Sequence, residues 1–406
     1  MLLCVGLMSG TSMDAIDAAA IVVEDGHVKE FGDTVETTLS PALREKITAL
    51  SQRCRDDVSF ARKCAAIQLD PSRKHDADIG RLEVEITELH ATAVRALLNQ
   101  LKRQDNPLNP LFLLHGVEVV GFHGQTIYHH PQGNGPDRFT WQLGDGKLLA
   151  SLLGLRVVSQ FRVQDVQKGG EGAPLAPLYH AALLKSPLSL RGAHAQPLTY
   201  PVAIVNIGGV SNVTFVFEKD PPLAFDCGPG NALMDDQMFL RTGVPVDHNG
   251  TVAGQGMVQD YVINDAMVSY REFLARRPPK SLDRNVFVDM ANQVQGLSTE
   301  DAMATLARFT AVCIGLSTIF LKSEDAAPTA WFVCGGGRHN ATLVRHIIEE
   351  VQAPVYPVEH LGWRGDSVEA ECFGYLASRV LRGEHTSLPT TTGCAEPVCG
   401  GRVDPS

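Results

Sequence analysis

Two turns that combine glycine with hydroxyl or amide side chains are the first places where this sequence could do chemistry. In the first turn, Gly10 lets a ligand approach the backbone, while Thr11 and Ser12 add hydroxyl donors; the second turn lies within residues 206–212. Successive backbone N–H groups in a turn form a concavity that binds anions. An ordinary polar hairpin loop is the alternative for each turn. Together, the two turns favour binding of a polyphosphate from both sides, with Asp14 holding Mg²⁺ through water.

Asp165 is the candidate for acid–base chemistry, because it precedes a glycine-rich run at residues 169–172. Backbone donors in such a run would orient a substrate. A carboxylate beside them would act as a general base if it lies within hydrogen-bond reach of the proton that it removes. The alternative is an aspartate that caps the next helix, and the residues alone leave both interpretations open.

Three further stretches give weaker signals. Gly335–Gly337 lies between a predicted strand and a predicted helix, where a flat group such as adenine or ribose could approach the backbone. Residues 226–231 combine an aspartate, a Gly-Pro-Gly turn and an asparagine, which indicates either a carboxylate near a cation or a plain turn. A histidine such as His123 is more often a structural hydrogen-bonding residue than an acid or base, but Gln125 beside it suits recognition of a sugar.

The elements that must position these residues begin with two hairpins. Apolar runs at residues 2–7 and 18–23 flank the first turn, and runs at residues 202–207 and 213–217 flank the second. Each turn is therefore predicted to join two strands. A similar unit that recurs about 200 residues later indicates two related domains, each presenting a glycine turn.

Helical periodicity fills the intervals between the strands. Apolar residues recur every three to four positions in residues 82–101 and 305–320, which predicts one buried face on each helix. A last helix is predicted at residues 368–380; Glu369 and Glu371 lie two positions apart on it and do not share a face. Since strand and helix signals alternate, the predicted class is α/β with mixed sheets.

Composition excludes several functional classes. The 406 residues carry a formal net charge of −11, which repels phosphate backbones, so nucleic acid is not an expected partner. The nine cysteines are scattered without CxxC or zinc-finger spacing, which indicates a reducing compartment and hence the cytoplasm. No apolar run approaches the roughly 18–20 residues that span a bilayer, so no membrane association is expected.

The predicted domain organisation has three parts. Residues 1–200 form an N-terminal domain that carries the first turn, and residues 201–383 form a C-terminal domain that carries the second turn and the glycine run. Residues 384–406 are rich in threonine, proline and glycine, and we expect this tail to be poorly ordered.

The order of these motifs resembles the anhydro-N-acetylmuramic acid kinase family across nearly the whole chain. Each motif is modestly specific, and their order is highly specific. The matching stretches are GLMSGTSMDAIDAA, GFHGQTIYHHP, FRVQDVQKGGEGAPLAP, VNIGGVSNVTF, FDCGPGNALMD, FVCGGGRHN and VEAECFGYLA.

The resemblance implies the two-domain fold shared by actin, the Hsp70 ATPase and the sugar kinases, with MgATP in a central cleft. It assigns the family's base to Asp165. It also assigns residues to the sugar, which are His123, Gln125, Arg162 and Glu369. The residues that it assigns to ATP are Gly10, Thr11, Ser12, Met13, Asp14, Ala15, Ile16, Asp17, Asn206, Gly208, Gly209, Gly228, Asn231, Gly335, Gly336, Gly337 and Asn340.

The implied reaction has two parts. Asp165 deprotonates a water molecule that attacks the anomeric carbon of a 1,6-anhydro sugar, and the freed O6 takes the γ-phosphoryl group of ATP. Two alternatives stay open: the same chemistry on levoglucosan (1,6-anhydroglucose), and a nucleotide-binding module without turnover. The resemblance also implies a homodimer.

The sequence departs from the family pattern at several positions, which concern the identity of the substrate more than the fold. Ala15 stands where a glycine is usual, Glu171 where a glutamine is usual, and Cys227 where a threonine is usual. The run at residues 280–284 also differs from the usual one. Glu171 adds negative charge near Asp165, which does not favour the lactyl carboxylate of a muramyl sugar.

Overall fold

The structure is a computed structural model of the chain. It describes residues 1–10, 13–70, 75–133, 135–186, 188, 198–282, 286–322 and 327–406, so the predicted phosphate-binding residues Thr11 and Ser12 lie outside the described residues. The chain forms two compact units. The first comprises Met1–Leu188 together with Ser367–Ser406, and the second comprises Ser189–Asp366.

The first unit is built on a seven-stranded mixed sheet. Its strands are β1 (Leu2–Ser9), β2 (Ala15–Glu24), β3 (His27–Thr38), β4 (Val119–His130), β5 (Phe139–Leu143), β6 (Val157–Ser159) and β12 (Arg402–Asp404). The order is β12-β6-β4-β1-β2-β3, and β5 pairs with β4. Strand β4 runs parallel to β1 and β6, whereas the other pairs are antiparallel.

Helices bury the apolar residues of this sheet. They are α1 (Pro41–Asp56), α2 (Val58–Leu69), α3 (Ala77–Leu101), α4 (Asn109–His115), α5 (Gly146–Leu153), α6 (Val163–Gln167), α7 (Pro177–Leu184) and α14 (Val368–Leu381). The predicted face of α3 is confirmed, since Leu82, Ile86, Ala93, Leu97 and Leu101 are buried in the core of the unit. The helix begins earlier than predicted because Asp76 caps it, accepting hydrogen bonds from the backbone N–H groups of residues 78 and 79.

The second unit has a five-stranded sheet with the order β11-β10-β7-β8-β9. Its strands are β7 (Val202–Ile207), β8 (Val210–Val216), β9 (Leu223–Pro229), β10 (Ala330–Cys334) and β11 (Val355–Pro357). Strand β10 runs parallel to β7 and β11, and the hairpins are antiparallel. The helices are α8 (Ala232–Thr242), α9 (Asp260–Ser269), α10 (Arg271–Ala275), α11 (Val288–Gln293), α12 (Thr299–Leu316) and α13 (Ala341–Val351).

The two sheets repeat one topology. In the first unit the order β3-β2-β1-β4-β6 is an antiparallel meander continued by two parallel strands, and β9-β8-β7-β10-β11 in the second unit is the same arrangement. In both units the glycine turn connects the first two strands of the meander. Each unit thus contains one of the two predicted glycine-turn hairpins. That the two units are related domains stays a prediction.

Helix α12 forms the centre of the second core. Ser298 caps it by accepting a hydrogen bond from the backbone N–H of Asp301. With the short turn that follows, Thr299–Phe320 is long and apolar enough to cross a membrane by length and composition, although no stretch of that length was expected from the sequence. Because 61% of its most apolar 18 residues are buried inside the protein, this stretch is a core helix.

The observed units correct the predicted domain boundaries. Helix α14 was placed in the C-terminal domain, but it packs on β1 and β4 of the first unit, where its backbone at Ala370 and Phe373 lies directly against Gly6 and Gly121. Glycines at these two strand positions let the helix approach the sheet closely. Sequence order alone did not reveal that the chain returns to its first sheet.

The prediction of a poorly ordered C-terminal tail was wrong. Thr386, Ser387, Thr391 and Thr392 are buried, and β12 pairs with β6 at the edge of the first sheet. The polar composition that suggested disorder has another use, because these hydroxyls make hydrogen bonds inside the fold. Thr386 Oγ1, for example, accepts a hydrogen bond from the backbone N–H of Gly400 at 2.7 Å.

Candidate active site

Asp165 lies in the short helix α6 and is fully buried. Its surroundings are polar. Oδ2 accepts a hydrogen bond from the backbone N–H of Gly172 at 2.7 Å, and Oδ1 accepts hydrogen bonds from Thr392 Oγ1, at 2.6 Å, and from Ser387 Oγ. A buried carboxylate requires such donors. The carboxylate therefore belongs to a hydrogen-bonded centre and does not point into the hydrophobic core.

The glycine-rich run after Asp165 closes around this carboxylate. A Cβ atom added to Gly170 would lie 2.1 Å from Asp165 Oδ2. Only a residue without a side chain lets the backbone approach the carboxylate this closely. Two arginines hold the carbonyls of the run. Arg138 Nη2 donates to Gly169 O and Gly170 O at 2.8 and 2.7 Å, and Arg162 Nη1 donates to Gly172 O at 2.7 Å.

His129, which has no role among the sequence predictions, also holds this run. Its Nε2 lies 2.9 Å from Glu171 O, and its Nδ1 lies 2.9 Å from Thr140 Oγ1. Because a carbonyl can only accept, Nε2 carries the proton, and Nδ1 accepts from the hydroxyl of Thr140. Gln142 Nε2 donates to that hydroxyl in turn, at 2.7 Å. No signal in the sequence linked His129 to the run more than 40 residues later.

The structure brings His123 and Arg162, two of the predicted sugar residues, into contact. Arg162 Nε donates to His123 Nε2 at 3.1 Å. Burial and the adjacent Arg162 charge hold the pKa of His123 well below its usual value. His123 is therefore neutral, with its proton on Nδ1, and would not serve as a general acid near neutral pH.

The other two predicted sugar residues, Gln125 and Glu369, differ in their exposure. Gln125 is buried; it accepts from Ser9 Oγ at 2.6 Å and donates to Gly10 O at 3.3 Å, so it supports the first turn. Glu369 is exposed on the first turn of α14. Glu371 is fully buried and accepts from Tyr179 Oη at 2.6 Å, which confirms that the two glutamates occupy different faces. A sugar contact by Glu369 stays a prediction.

The first turn is tight where the structure describes it. The backbone N–H of Met13 donates to Gly10 O at 3.2 Å, and Met13 adopts a φ of 56°, an unusual conformation for a residue with a side chain. Ala15, Ile16 and Asp17 already belong to β2. The side chain of Ile16 is buried in the core, which leaves only its backbone for a ligand.

Asp14 was predicted to hold Mg²⁺ through water. Its side chain is 71% exposed, and Oδ1 accepts a hydrogen bond from Arg44 Nη1 at 3.2 Å. Within the described part of the chain, no group of three or more His, Cys, Asp or Glu side chains could hold a metal. One exposed carboxylate suits an ion that keeps most of its water and takes its remaining ligands from a nucleotide, but it is not a protein-built metal cage.

In the second unit, the residues predicted to contact ATP converge around the second turn. The backbone N–H of Asn231 donates to Gly208 O at 2.7 Å, and that of Gly230 donates to Gly209 O at 3.1 Å, so the end of β9 folds against the turn. Asn231 Nδ2 also donates to Ile207 O at 3.3 Å. The turn, the Gly228–Asn231 segment and the glycine run thus form one cluster.

The glycine run Gly335–Gly337 completes this cluster from the other side. Gly335 has a φ of +73°, and a Cβ atom there would lie 2.4 Å from Asn206 Oδ1. Only glycine combines that conformation with that approach. At Gly336 and Gly337, an added Cβ would meet the Asn231 side chain at 3.4 and 3.1 Å.

Arg338 fixes the glycine run, although no pattern in the sequence marks this residue. Its side chain is 4% exposed; Nη1 donates to Gly335 O at 3.0 Å, and ion pairs join it to Glu359 and Asp366 at 3.0 and 2.8 Å. The hydrogen bond from Arg338 lowers the pKa of Asp366. Asn340, predicted to lie near the adenosine, caps α13 by accepting from the backbone N–H of Leu343 at 2.9 Å.

The carboxylate at residues 226–231 has a backbone partner. Asp226 lies in β9 rather than in a turn, and its Oδ2 accepts from the backbone N–H of Leu282 at 2.7 Å. Burial raises the pKa of the neighbouring Cys227 thiol to about 12, so this departure from the family pattern adds no reactive thiolate.

The resemblance in the sequence implies a carbohydrate phosphotransferase with two domains, a glycine turn in each and an aspartate base. The structure has two α/β sheets of one topology, a glycine turn in each and an aspartate held by hydrogen bonds. Comparison with known proteins gives the family. The family model for anhydro-N-acetylmuramic acid kinase matches residues 2–406. The chain belongs to this family.

Individual relatives agree with this assignment. The chain is 39% identical over 404 residues to the anhydro-N-acetylmuramic acid kinase of Rhodospirillum rubrum, covering 99% of this chain and 94% of the relative. It is 41% identical over 400 residues to the enzyme of the same name from Azorhizobium caulinodans, covering 98% and 97%. Among solved structures, a ROK family glucokinase from Streptomyces griseus in complex with glucose and AMPPNP is similar at 14% identity and a TM-score of 0.38, covering 93% of this chain and 99% of the glucokinase. A similarity of that size supports no argument about the site.

Proposed function

We propose that this chain is an ATP-dependent kinase that opens the 1,6-anhydro ring of anhydro-N-acetylmuramic acid and phosphorylates O6, giving N-acetylmuramic acid 6-phosphate. The observation that carries the proposal is the extent of the family match. Relatives named for this activity are about 40% identical over nearly the full length of both chains. That match favours the muramyl sugar over levoglucosan.

The proposed chemistry uses Asp165 as the base. One proton passes from a water molecule to the carboxylate, the water oxygen bonds to the anomeric carbon, and the bond from that carbon to O6 breaks. The electrons of that bond stay on O6, which takes the γ-phosphoryl group of ATP while ADP leaves. Phosphoryl transfer of this kind depends mainly on positioning and on stabilisation of charge.

The contacts of Asp165 support this role and set a requirement on it. Oδ1 is occupied by two hydroxyl donors and Oδ2 by one backbone donor. Each carboxylate oxygen accepts about two hydrogen bonds, so a water molecule would use the remaining capacity of Oδ2. Because the carboxylate is fully buried, the surrounding residues must move before the attacking water and the sugar can reach it.

ATP is the proposed phosphoryl donor. In the second unit, the turn at Gly208 and Gly209 suits a nucleotide, because a Cβ atom added there would meet no atom closer than 3.7 Å and the backbone is open to a ligand. The glycine run at Gly335–Gly337 packs against the strand that leads into this turn. Contacts of the first turn with the phosphates stay a prediction. When bound, Mg²⁺ would neutralise phosphate charge, and Asp14 is the residue that would hold its water shell.

We further propose a cytoplasmic enzyme that forms a homodimer. All nine cysteines are free, which suits a reducing compartment. The homodimer rests on the family resemblance.

The test is to incubate the protein with MgATP and each anhydro sugar and to weigh the products. A muramyl product that gains both water and phosphate is expected. A gain of phosphate without water would indicate an ordinary sugar kinase, and consumption of levoglucosan alone would overturn the proposed substrate. If neither sugar is consumed while ATP binds, the chain is a binding module.

A further inference from the structure

The C-terminal segment, residues 384–404, supplies two buried hydroxyls to Asp165. Ser387 and Thr392 are 222 and 227 residues away from Asp165 in sequence, and both are at most 1% exposed. Both donate to the same oxygen, Oδ1. Neither residue belongs to a motif that the sequence reading singled out, and the segment that carries them was expected to be poorly ordered.

Each hydroxyl has one proton, and the geometry decides where it goes. Thr392 Oγ1 lies 2.6 Å from Asp165 Oδ1 but 3.4 Å from Leu388 O, so the carboxylate takes the proton. The outer torsion of an aspartate side chain is broad and roughly two-fold, so an unrestrained carboxylate would rotate. Two donors on Oδ1 and the backbone N–H of Gly172 on Oδ2 fix its plane.

The segment is itself fastened to the run that follows Asp165. The backbone N–H of Glu171 donates to Thr392 O at 2.6 Å, and that of Ala395 donates to Lys168 O at 3.2 Å. Lys168 Nζ and Glu396 Oε1 are 2.8 Å apart. The distances between the hydroxyls and the carboxylate are therefore set by the backbone and do not depend on the two side chains alone.

We propose that Ser387 and Thr392 are positioning residues that hold Asp165 Oδ1 and thereby direct Oδ2 toward the attacking water. This inference rests on the proposed function, because it assigns the base role to Asp165. Loss of either hydroxyl would leave the sugar and ATP contacts in place but allow the base to rotate. The effect is expected on kcat rather than on KM, since a small misplacement of a catalytic group is costly.

The test compares Thr392→Val, which keeps the shape and removes the hydroxyl, with Thr392→Ser, which keeps the hydroxyl. We expect Thr392→Val to lower kcat by about 10-fold or more, with KM for both substrates within about 2-fold of the wild-type value. Thr392→Ser should stay within about 3-fold of the wild-type kcat. Ser387→Ala provides the same measurement at the second hydroxyl and replaces Thr392→Val if that variant does not fold.

Three results would overturn the inference: an unchanged kcat in Thr392→Val and in Ser387→Ala, an equal loss in Thr392→Val and Thr392→Ser, or a raised KM for the sugar with kcat unchanged. The equal loss would mean that packing of the threonine methyl group matters. Failure of the proposed function looks different, because Asp165→Asn would then keep near-normal turnover. An inactive Asp165→Asn beside a fully active Thr392→Val would remove the positioning role alone.

Discussion

At the scale of single residues, the site depends on backbone that approaches side chains closely. Gly170 lies against Asp165, and Gly335 lies against Asn206, in each case at a distance that excludes a Cβ atom. In both places an arginine holds the glycine segment by its carbonyls: Arg138 does so in the first unit and Arg338 in the second. Both arrangements combine a permissive backbone with side chains that restrict it.

Gly170→Ala should therefore inactivate the enzyme. The added methyl group would lie 2.1 Å from Asp165 Oδ2 and must displace either the carboxylate or the run. A displacement of about 1 Å in an active site can cost about 100-fold in rate, and we expect a loss of that order in kcat. Steady-state kinetics on purified, folded protein measures it.

Gly80→Ala is the matched control for that variant. Gly80 lies in α3 of the same unit, and nothing comes within 4 Å of the Cβ that would be added. Alanine in a helix should raise the free energy of unfolding by about 0.5–1 kcal/mol and leave kcat unchanged. If Gly170→Ala behaved like Gly80→Ala, the close approach to Asp165 would have no catalytic meaning.

At the scale of elements, Lys280 shows how the second unit holds a helix end. Its ammonium group is buried and donates to Phe273 O and Leu274 O near the end of α10, at 3.2 and 3.1 Å. It also lies 4.6 Å from the centroids of the Phe273 and Phe320 rings. Burial lowers the pKa of Lys280 from 10.5 to about 8.

This shift predicts how stability depends on pH. Between pH 8 and 10.5 the unfolded chain binds more protons at Lys280 than the folded chain, so this group makes the folded state relatively more stable as pH rises. Lys280→Met should remove that contribution. The thermal midpoint of the wild type minus that of the variant should therefore increase from pH 8 to pH 10.

The control for this comparison is the exposed Lys219 in the same unit. Lys219→Met should leave the pH dependence of the midpoint as it is in the wild type. If the thermal midpoints of the wild type and of Lys280→Met change equally with pH across this range, Lys280 titrates at an ordinary pH and is not held in a desolvated position.

Local patterns in the sequence predicted much of the fold. The strand at residues 202–207 has the predicted bounds, and a strand and a helix lie on either side of Gly335–Gly337 as predicted, because apolar runs and helical periodicity are local properties. The two glycine-turn hairpins were recognisable for the same reason. Helix α14 was also located correctly along the chain, but its placement on β1 depends on contacts between residues more than 360 apart, which no local pattern records.

The candidate site could be predicted only where motifs mark it. Asp165 and the glycine segments stand out by composition. His129, Arg138 and Arg338 do not, because the type of a single histidine or arginine gives no sign of the carbonyl that it will hold. Ser387 was missed for the opposite reason, since the polar composition around it is also typical of a disordered tail.

At the scale of the whole molecule, the chain ends in its first unit, and its last residues complete the surroundings of Asp165. Strand β12 extends the first sheet, and Asp404 lies 3.3 Å from Ser159 Oγ on β6. Removal of His385–Ser406 should therefore destabilise the first unit and lower turnover by at least about 10-fold, because both hydroxyl donors to Asp165 are lost. Thermal unfolding and steady-state kinetics measure the two effects.

Removal of Pro405 and Ser406 alone is the matched control, because both residues are exposed and follow β12. That shorter truncation should leave stability and turnover unchanged. Full activity after loss of the whole segment would contradict the role assigned to the C-terminal segment.

The central claim is that the carboxylate of Asp165 activates the water that opens the anhydro ring. The most direct measurement is single-turnover product formation from anhydro-N-acetylmuramic acid by Asp165→Asn, with ATP binding and thermal unfolding measured on the same sample. Asp404→Asn, which changes a buried carboxylate of the C-terminal segment, is the control. We expect no sugar phosphate from Asp165→Asn although ATP binds and the protein is folded, and normal product from Asp404→Asn. A near-normal rate in Asp165→Asn would contradict this claim.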